Sequence, residues 1–135
     1  MLAIKHKLAD RKSGDSSLRV LVVEDDTTTA AVMRRVLEFA GFGVRAAGSY
    51  KDALNLASQW IPDVLVCDIG LPDKDGLALM KTLRRAYPTL KGIVVSGYTG
   101  LDDQAKCRDA GFSDYLSKPI TAAQITSAIG RLFHE

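Results

Sequence analysis

The chain has 135 residues, 47% of them hydrophobic and 25% charged, and a formal net charge of +2. This is the composition of one ordinary globular domain, long enough to bury about two-thirds of its unfolded surface without staples. Neither a membrane span nor secretion is expected: no apolar run approaches the ~20 residues of a bilayer helix, and the opening MLAIKHKLADRK lacks the apolar core of a secretory leader.

A cytoplasmic location is therefore expected. Cys67 and Cys107 form no CxxC pair and suit a reducing compartment as small structural residues. The positive charge is local. Residues 1–18 carry Lys5, Lys7, Arg11 and Lys12 against Asp10 and Asp15, while the rest of the chain balances. A neutral body has no broad footprint for a phosphate backbone, so no direct nucleic-acid binding is expected.

Residues 1–18 end in RKSGDSS and read as a tail or linker, with the domain proper over 19–135. Arg19–Val23 is an apolar run of strand length. Met33, Val36, Leu37 and Ala40 then mark one helix face, which Gly41 stops. Val44–Ala47 is a short second strand, residues 50–58 a second helix and Val64–Cys67 a third strand. Leu79, Met80, Leu83, Ala86 and Tyr87 stripe a third helix that ends before Pro88. Ile93–Val95 is a fourth strand, residues 101–110 a fourth helix and Asp114–Leu116 a fifth strand. Ile125, Ala128, Ile129 and Leu132 give the last helix one apolar face.

Five strands, each followed by a helix, imply parallel pairing through right-handed crossovers. The strands show little alternation, as strands covered on both faces should. The expected fold is α/β, a three-layer sandwich around a five-stranded parallel sheet.

In such sheets the ligand site lies beyond the carboxyl ends of the strands. Glu24, Asp25 and Asp26 stand after strand one, Asp68 after strand three, Ser96 and Gly97 after strand four, and Lys118 after strand five. Two of these carboxylates about 4 Å apart would repel by about 4 kcal/mol at an effective dielectric near 20. A divalent cation resolves this, and an all-oxygen set favours Mg²⁺ or Mn²⁺ over zinc. Asp25 or Asp26 also has the chemistry to cap the helix that begins near Thr27. Asp75 reads as an N-cap and Asp73 as a turn residue.

Other chemistries lack their parts. No histidine lies between His6 and His134, which removes a Ser–His–Asp triad. GFGVRA at 41–46 imitates a dinucleotide fingerprint but follows a helix and leads into a strand, the reverse of the required order. No GxxxxGK[ST] is present. What converges is a carboxylate nucleophile, a hard metal, a cation and a hydroxyl, the equipment for phosphoryl transfer onto Asp68.

These residues resemble the receiver domain of two-component response regulators. VLVVEDD at 20–26 is similar to its acidic-pair motif and DIGLPDKDG at 68–76 to its phosphoacceptor motif. VVSGYTG at 94–100 and DYLSKPI at 114–120 resemble its last two signatures, in order. The resemblance covers about residues 19–134 and implies a flavodoxin-like strand order of 2-1-3-4-5 with five helices. It implies that Asp68 accepts phosphate from a phosphohistidine on a sensor histidine kinase or histidine phosphotransfer protein.

By the same resemblance Glu24 and Asp25 form the metal-binding pair, completed by Asp68 and the backbone carbonyl of Gly70. Ser96 is the switch hydroxyl, with Gly97 beside it, Lys118 the phosphoryl-pairing lysine and Tyr115 the switch aromatic. The bond before Pro119 is expected to be cis. Phosphorylation would remodel the face of the fourth helix, fifth strand and fifth helix for partner binding or a homodimer.

The chain departs from the family pattern at Glu24, where Asp is commoner. Gly70 removes a side chain near Asp68, and Tyr98 places a ring where it would exclude hydrolytic water and lengthen the phosphate's life. The wording of SGYTG and AGFSDYLSKPI is closest to receivers attached to hybrid sensor kinases, while the opening Met1 favours a stand-alone regulator. The chain is expected to be a signalling acceptor that assists its own phosphorylation, not an enzyme. The alternatives are a phosphorylation-independent binding module and a small Mg²⁺-dependent phosphatase.

Overall fold

The computed structural model describes residues 17–97 and 101–133. Its strands are β1 (Arg19–Val23), β2 (Gly43–Ala47), β3 (Val64–Cys67), β4 (Lys91–Ser96) and β5 (Asp114–Ser117). The helices between and after them are α1 (Thr27–Phe39), α2 (Tyr50–Gln59), α3 (Gly76–Ala86), α4 (Leu101–Ala110) and α5 (Ala122–Leu132). The strands form one sheet in the order β2-β1-β3-β4-β5, with every pairing parallel. The expected three-layer α/β architecture and strand order hold.

Strand pleating assigns the layers. Leu21, Val23, Leu65, Cys67 and Val94 point to one side and meet Ala53 and Ala57 of α2, Leu79, Met80 and Leu83 of α3, and Cys107 and Ala110 of α4. Val20, Val22, Val64, Val66, Ile93 and Val95 point to the other and meet Met33 and Leu37 of α1 and Ile125, Ala128 and Ile129 of α5. Each buried Val, Leu or Ile contributes about 1.5–3 kcal/mol. Both faces of the sheet are covered at its centre, which explains why Val20–Val23 of β1 and all of β3 read as unbroken apolar runs. Leu18 is also buried, on the α1/α5 side, and its carbonyl accepts from the Gly43 amide at 2.9 Å. The first 16 residues of the expected tail lie outside the described residues.

Strand limits differ slightly from the sequence expectation. β2 starts at Gly43 because Gly43 is in register with Arg19. β4 is longer at both ends, since Lys91 pairs with Val64 and Ser96 with Ser117. Neighbouring backbone, not side-chain hydropathy, sets these ends.

Helix ends follow side-chain chemistry. Asp26, Ser49, Asp75 and Thr121 cap α1, α2, α3 and α5, each accepting from a backbone amide of the first turn. Gly41 ends α1 at φ 101°. Its amide donates to the Glu38 carbonyl and that of Phe42 to the Leu37 carbonyl, the paired bonds of a left-handed helix stop.

Gly76, the first residue of α3, has a different reason to be glycine. A Cβ there would lie 2.5 Å from the Asp68 carbonyl oxygen and 2.9 Å from Cys67 Sγ. Helix propensity alone favours alanine over glycine by about 1 kcal/mol. The clash reverses the sign: Gly76→Ala is expected to lower the urea-unfolding free energy by about 1–3 kcal/mol, and a stabilised variant would contradict this close approach.

Candidate phosphoacceptor and metal site

Three strands deliver the site's charged groups through one extra rung of sheet pairing. Beyond the last residues of β1, β3 and β5, the amide of Glu24 donates to the Ala47 carbonyl, that of Asp68 to Val23, and that of Lys118 to Ser96, at 3.0, 3.1 and 2.8 Å. The backbone of each charged residue is thus held by the sheet although its side chain stands at the rim. Ser96, the last residue of β4, is 1% exposed. Gly97 follows it, exposed, with open space where a Cβ would project.

Lys118 Nζ lies between two carboxylates, 2.6 Å from Glu24 Oε1 and 2.8 Å from Asp68 Oδ2. The remaining carboxylate oxygens also accept: Glu24 Oε2 from the Asp26 amide at 3.3 Å, and Asp68 Oδ1 from the Gly70 amide at 3.2 Å. Glu24 is only 4% exposed, whereas Asp68 is half-buried and Asp25 is exposed. Burial pushes the Glu24 carboxyl above its ordinary range, and the Lys118 bond pulls it back only partly. Burial alone would lower Lys118, but its hydrogen bonds to Asp68 and Glu24 outweigh that and raise it. The amine stays charged.

Carboxylate oxygens of Glu24, Asp25 and Asp68 lie within 4.8 Å of one another. The donor set is purely oxygen, which fits a hard divalent cation such as Mg²⁺ and suits zinc poorly. One ammonium serves two of the three carboxylates, and Asp25 faces solvent, so the cluster retains charge that a cation would neutralise. Gly70 lies on the exposed loop after Asp68, with open space around its Cα.

Of the three consecutive acids, Asp26 is the cap. Its Oδ2 accepts from the Thr29 amide at 3.2 Å and from the Thr29 hydroxyl. Tyr115 is half-buried on β5 among residues of the α2/α3/α4 side, and its hydroxyl oxygen is buried rather than wet. The Lys118–Pro119 peptide bond is cis. Tyr98 lies outside the described residues. Cys67 is buried, and its thiol, pushed up by burial and then by the Asp68 and Glu24 charges, donates to the Asp68 carbonyl.

Asp73 is the residue the sequence undersold. Read as a turn former, it accepts from the amides of Tyr50 and Lys51 at 2.9 and 3.0 Å, so it reaches across to α2. No local pattern announces a partner 22 residues upstream.

Residues 20–130 match the response regulator receiver domain. The chain belongs to that family. It is similar to the transcriptional regulatory protein PrrA of Mycobacterium leprae, 36% identical over 120 residues that make up 89% of this chain and 52% of PrrA. The receiver thus spans about half the length of that relative. Among solved structures it is similar to a response regulator of Chloroflexus aurantiacus (TM-score 0.80, 31% identity, covering 87% of this chain and 98% of that one). It is also similar to a Burkholderia pseudomallei response regulator solved with a phosphorylated aspartic acid, a calcium ion and citrate (TM-score 0.77, 29% identity, 82% and 65% covered). No helix among the described residues is long and apolar enough to cross a membrane.

The capping role of Asp26 sets a pH dependence. Its hydrogen bonds from Thr29 hold the carboxyl below the ordinary range. A lowered folded-state pKa contributes stability above the unfolded value that is lost as pH falls through the folded one. Asp26→Ala should therefore melt below the wild type at neutral pH, and the gap should close on acidification. A gap that persists under acid, followed by circular dichroism, would rule out the ionised cap.

Proposed function

We propose that this receiver is the phosphoacceptor of a two-component phosphorelay, with Asp68 as the residue phosphorylated. The observation that carries the reading is the Lys118 ammonium 2.8 Å from Asp68 Oδ2 beside the Glu24–Asp25–Asp68 oxygen cluster. The donor is a phosphohistidine on a sensor histidine kinase or histidine phosphotransfer protein. An Asp68 carboxylate oxygen forms a bond to phosphorus as the phosphorus–nitrogen bond breaks, and the histidine nitrogen leaves with the electron pair and takes up a proton.

Each residue has a task in that transfer. Glu24, Asp25, Asp68 and the Gly70 carbonyl would hold Mg²⁺ (or Mn²⁺), whose chemistry there is to neutralise the oxygens of the transferring group. Lys118 pairs with phosphoryl oxygen, and the Ser96 hydroxyl and Gly97 backbone take further oxygens by hydrogen bonding. The sheet holds Asp68 and Lys118 in position, so little reorganisation opposes the reaction.

The product adds negative charge beside Ser96. It biases the domain only by interacting differently with two conformations. Ser96 at the end of β4 and Tyr115 on β5 carry that difference to the α4–β5–α5 face, where a partner or a second copy reads it.

Incubation with acetyl phosphate and Mg²⁺ is expected to add the mass of one phosphoryl group to the intact wild type and none to Asp68→Asn. An unmodified wild type would overturn the reading. In parallel, Mg²⁺ at about 100 times its dissociation constant should stabilise the wild type by about 2.7 kcal/mol. Asp25→Ala should lose most of that gain in a thermal melt, and equal gains in both would remove Asp25 from the metal site.

A further inference from the structure

We infer that, given the phosphoacceptor role proposed above, Asp73 is a positioning residue that clamps the phosphoacceptor loop to the N-terminus of α2. The loop runs from Asp68 to Asp75 between β3 and α3. Its first residue, Asp68, is tied to Val23 and Lys118, and past it the bonds are largely local: Gly70 amide to Asp68 Oδ1, Lys74 amide to Asp73 Oδ1, Ala78 amide to Asp75 Oδ1, and Gly76 amide to the Ile69 carbonyl. Asp73 joins it to another element. Its Oδ1 accepts from the Tyr50 amide at 2.9 Å and its Oδ2 from the Lys51 amide at 3.0 Å.

The anchor is well suited to hold a carboxylate. An α-helix begins with amides that have no partner within the helix, and they carry its positive dipole end. In α2 the Asp52 amide is met by the helix's own cap, Ser49 Oγ, at 3.1 Å, and the two preceding amides are met by Asp73. The bidentate arrangement fixes both position and rotation of the loop. Burial opposes ionisation of Asp73, but the amides of Lys51, Tyr50 and Lys74 outweigh it and hold the carboxyl below its ordinary range.

A second contact runs in parallel. Lys74 Nζ sits 5.0 Å from the centre of the Tyr50 ring, and Tyr50 Oη is 2.9 Å from Thr82 Oγ1 of α3. Both link the start of α2 to the loop or to the helix that follows it.

Asp73 lies only three residues beyond Gly70 and five beyond Asp68. A loop fixed at Asp73 restricts where the Gly70 carbonyl and the Asp68 carboxylate stand. Groups that orient metal ligands without touching the metal typically change its affinity 10–100-fold when removed.

The test compares Asp73→Ala with Ser49→Ala in the full chain. Both remove a cap from α2, but only the first frees the loop. The half-saturating Mg²⁺ concentration, read by calorimetry and by the Mg²⁺ dependence of labelling with acetyl phosphate, is expected to rise about tenfold in Asp73→Ala and to stay at the wild-type value in Ser49→Ala. Asp73→Asn, which keeps one acceptor oxygen, should fall between. Amide exchange over residues 69–76 should accelerate in Asp73→Ala alone.

Equal losses of thermal stability in the two variants with unchanged Mg²⁺ affinity and unchanged loop exchange would reduce Asp73 to a helix cap and overturn the inference. Should the wild type take up no phosphoryl group, the function proposed above falls, and exchange still decides Asp73. Acceleration in Asp73→Ala alone supports the clamp; unchanged exchange overturns it.

Discussion

The site depends on one ammonium group shared by two carboxylates. Lys118 Nζ holds Glu24 Oε1 and Asp68 Oδ2, residues 94 and 50 positions away, within 2.8 Å. Glu24 is 4% exposed, so without that amine its ionised form would carry a desolvation cost of several kcal/mol. The same ion pair ties the rims of β1, β3 and β5 to one point.

The parallel sheet makes that sharing possible. All five strands present their carboxyl ends on one edge, and the first residue past β1, β3 and β5 still pairs by its backbone with a neighbour. Charged side chains therefore emerge at fixed spacing from a scaffold whose two faces are buried under α1 and α5 on one side and α2, α3 and α4 on the other. Rigid backbone with solvent-facing side chains is what preorganised charge requires. The close approach of Gly76 to the Asp68 carbonyl belongs to the same economy of space: α3 begins directly against the strand end that carries Asp68.

Much of this was legible along the chain. Unbroken apolar runs at 20–23 and 64–67 signalled strands buried on both faces, and the stripe Ile125, Ala128, Ile129 signalled a helix with one covered face, because burial and pleat or helix period act locally. Asp68 and Lys118 stood out as charges placed directly after apolar strands. Asp75 was recognisable as a cap because it precedes a helical stripe. The acidic run 24–26 could be divided only by the fold: Asp26 turns to the α1 amides, Glu24 inward to Lys118 and Asp25 to solvent.

The amino-acid order alone determined the layer architecture, the receiver family resemblance and the side-chain types gathered at the rim, since each rests on periodicity or on residues adjacent in sequence. Tertiary structure alone decided that Lys118 bridges Glu24 and Asp68, that Asp73 reaches the amides of Tyr50 and Lys51, and that Gly76 has no room for a Cβ. Those contacts join atoms brought together by crossovers, and no local pattern encodes a distance of a few ångströms between segments tens of residues apart.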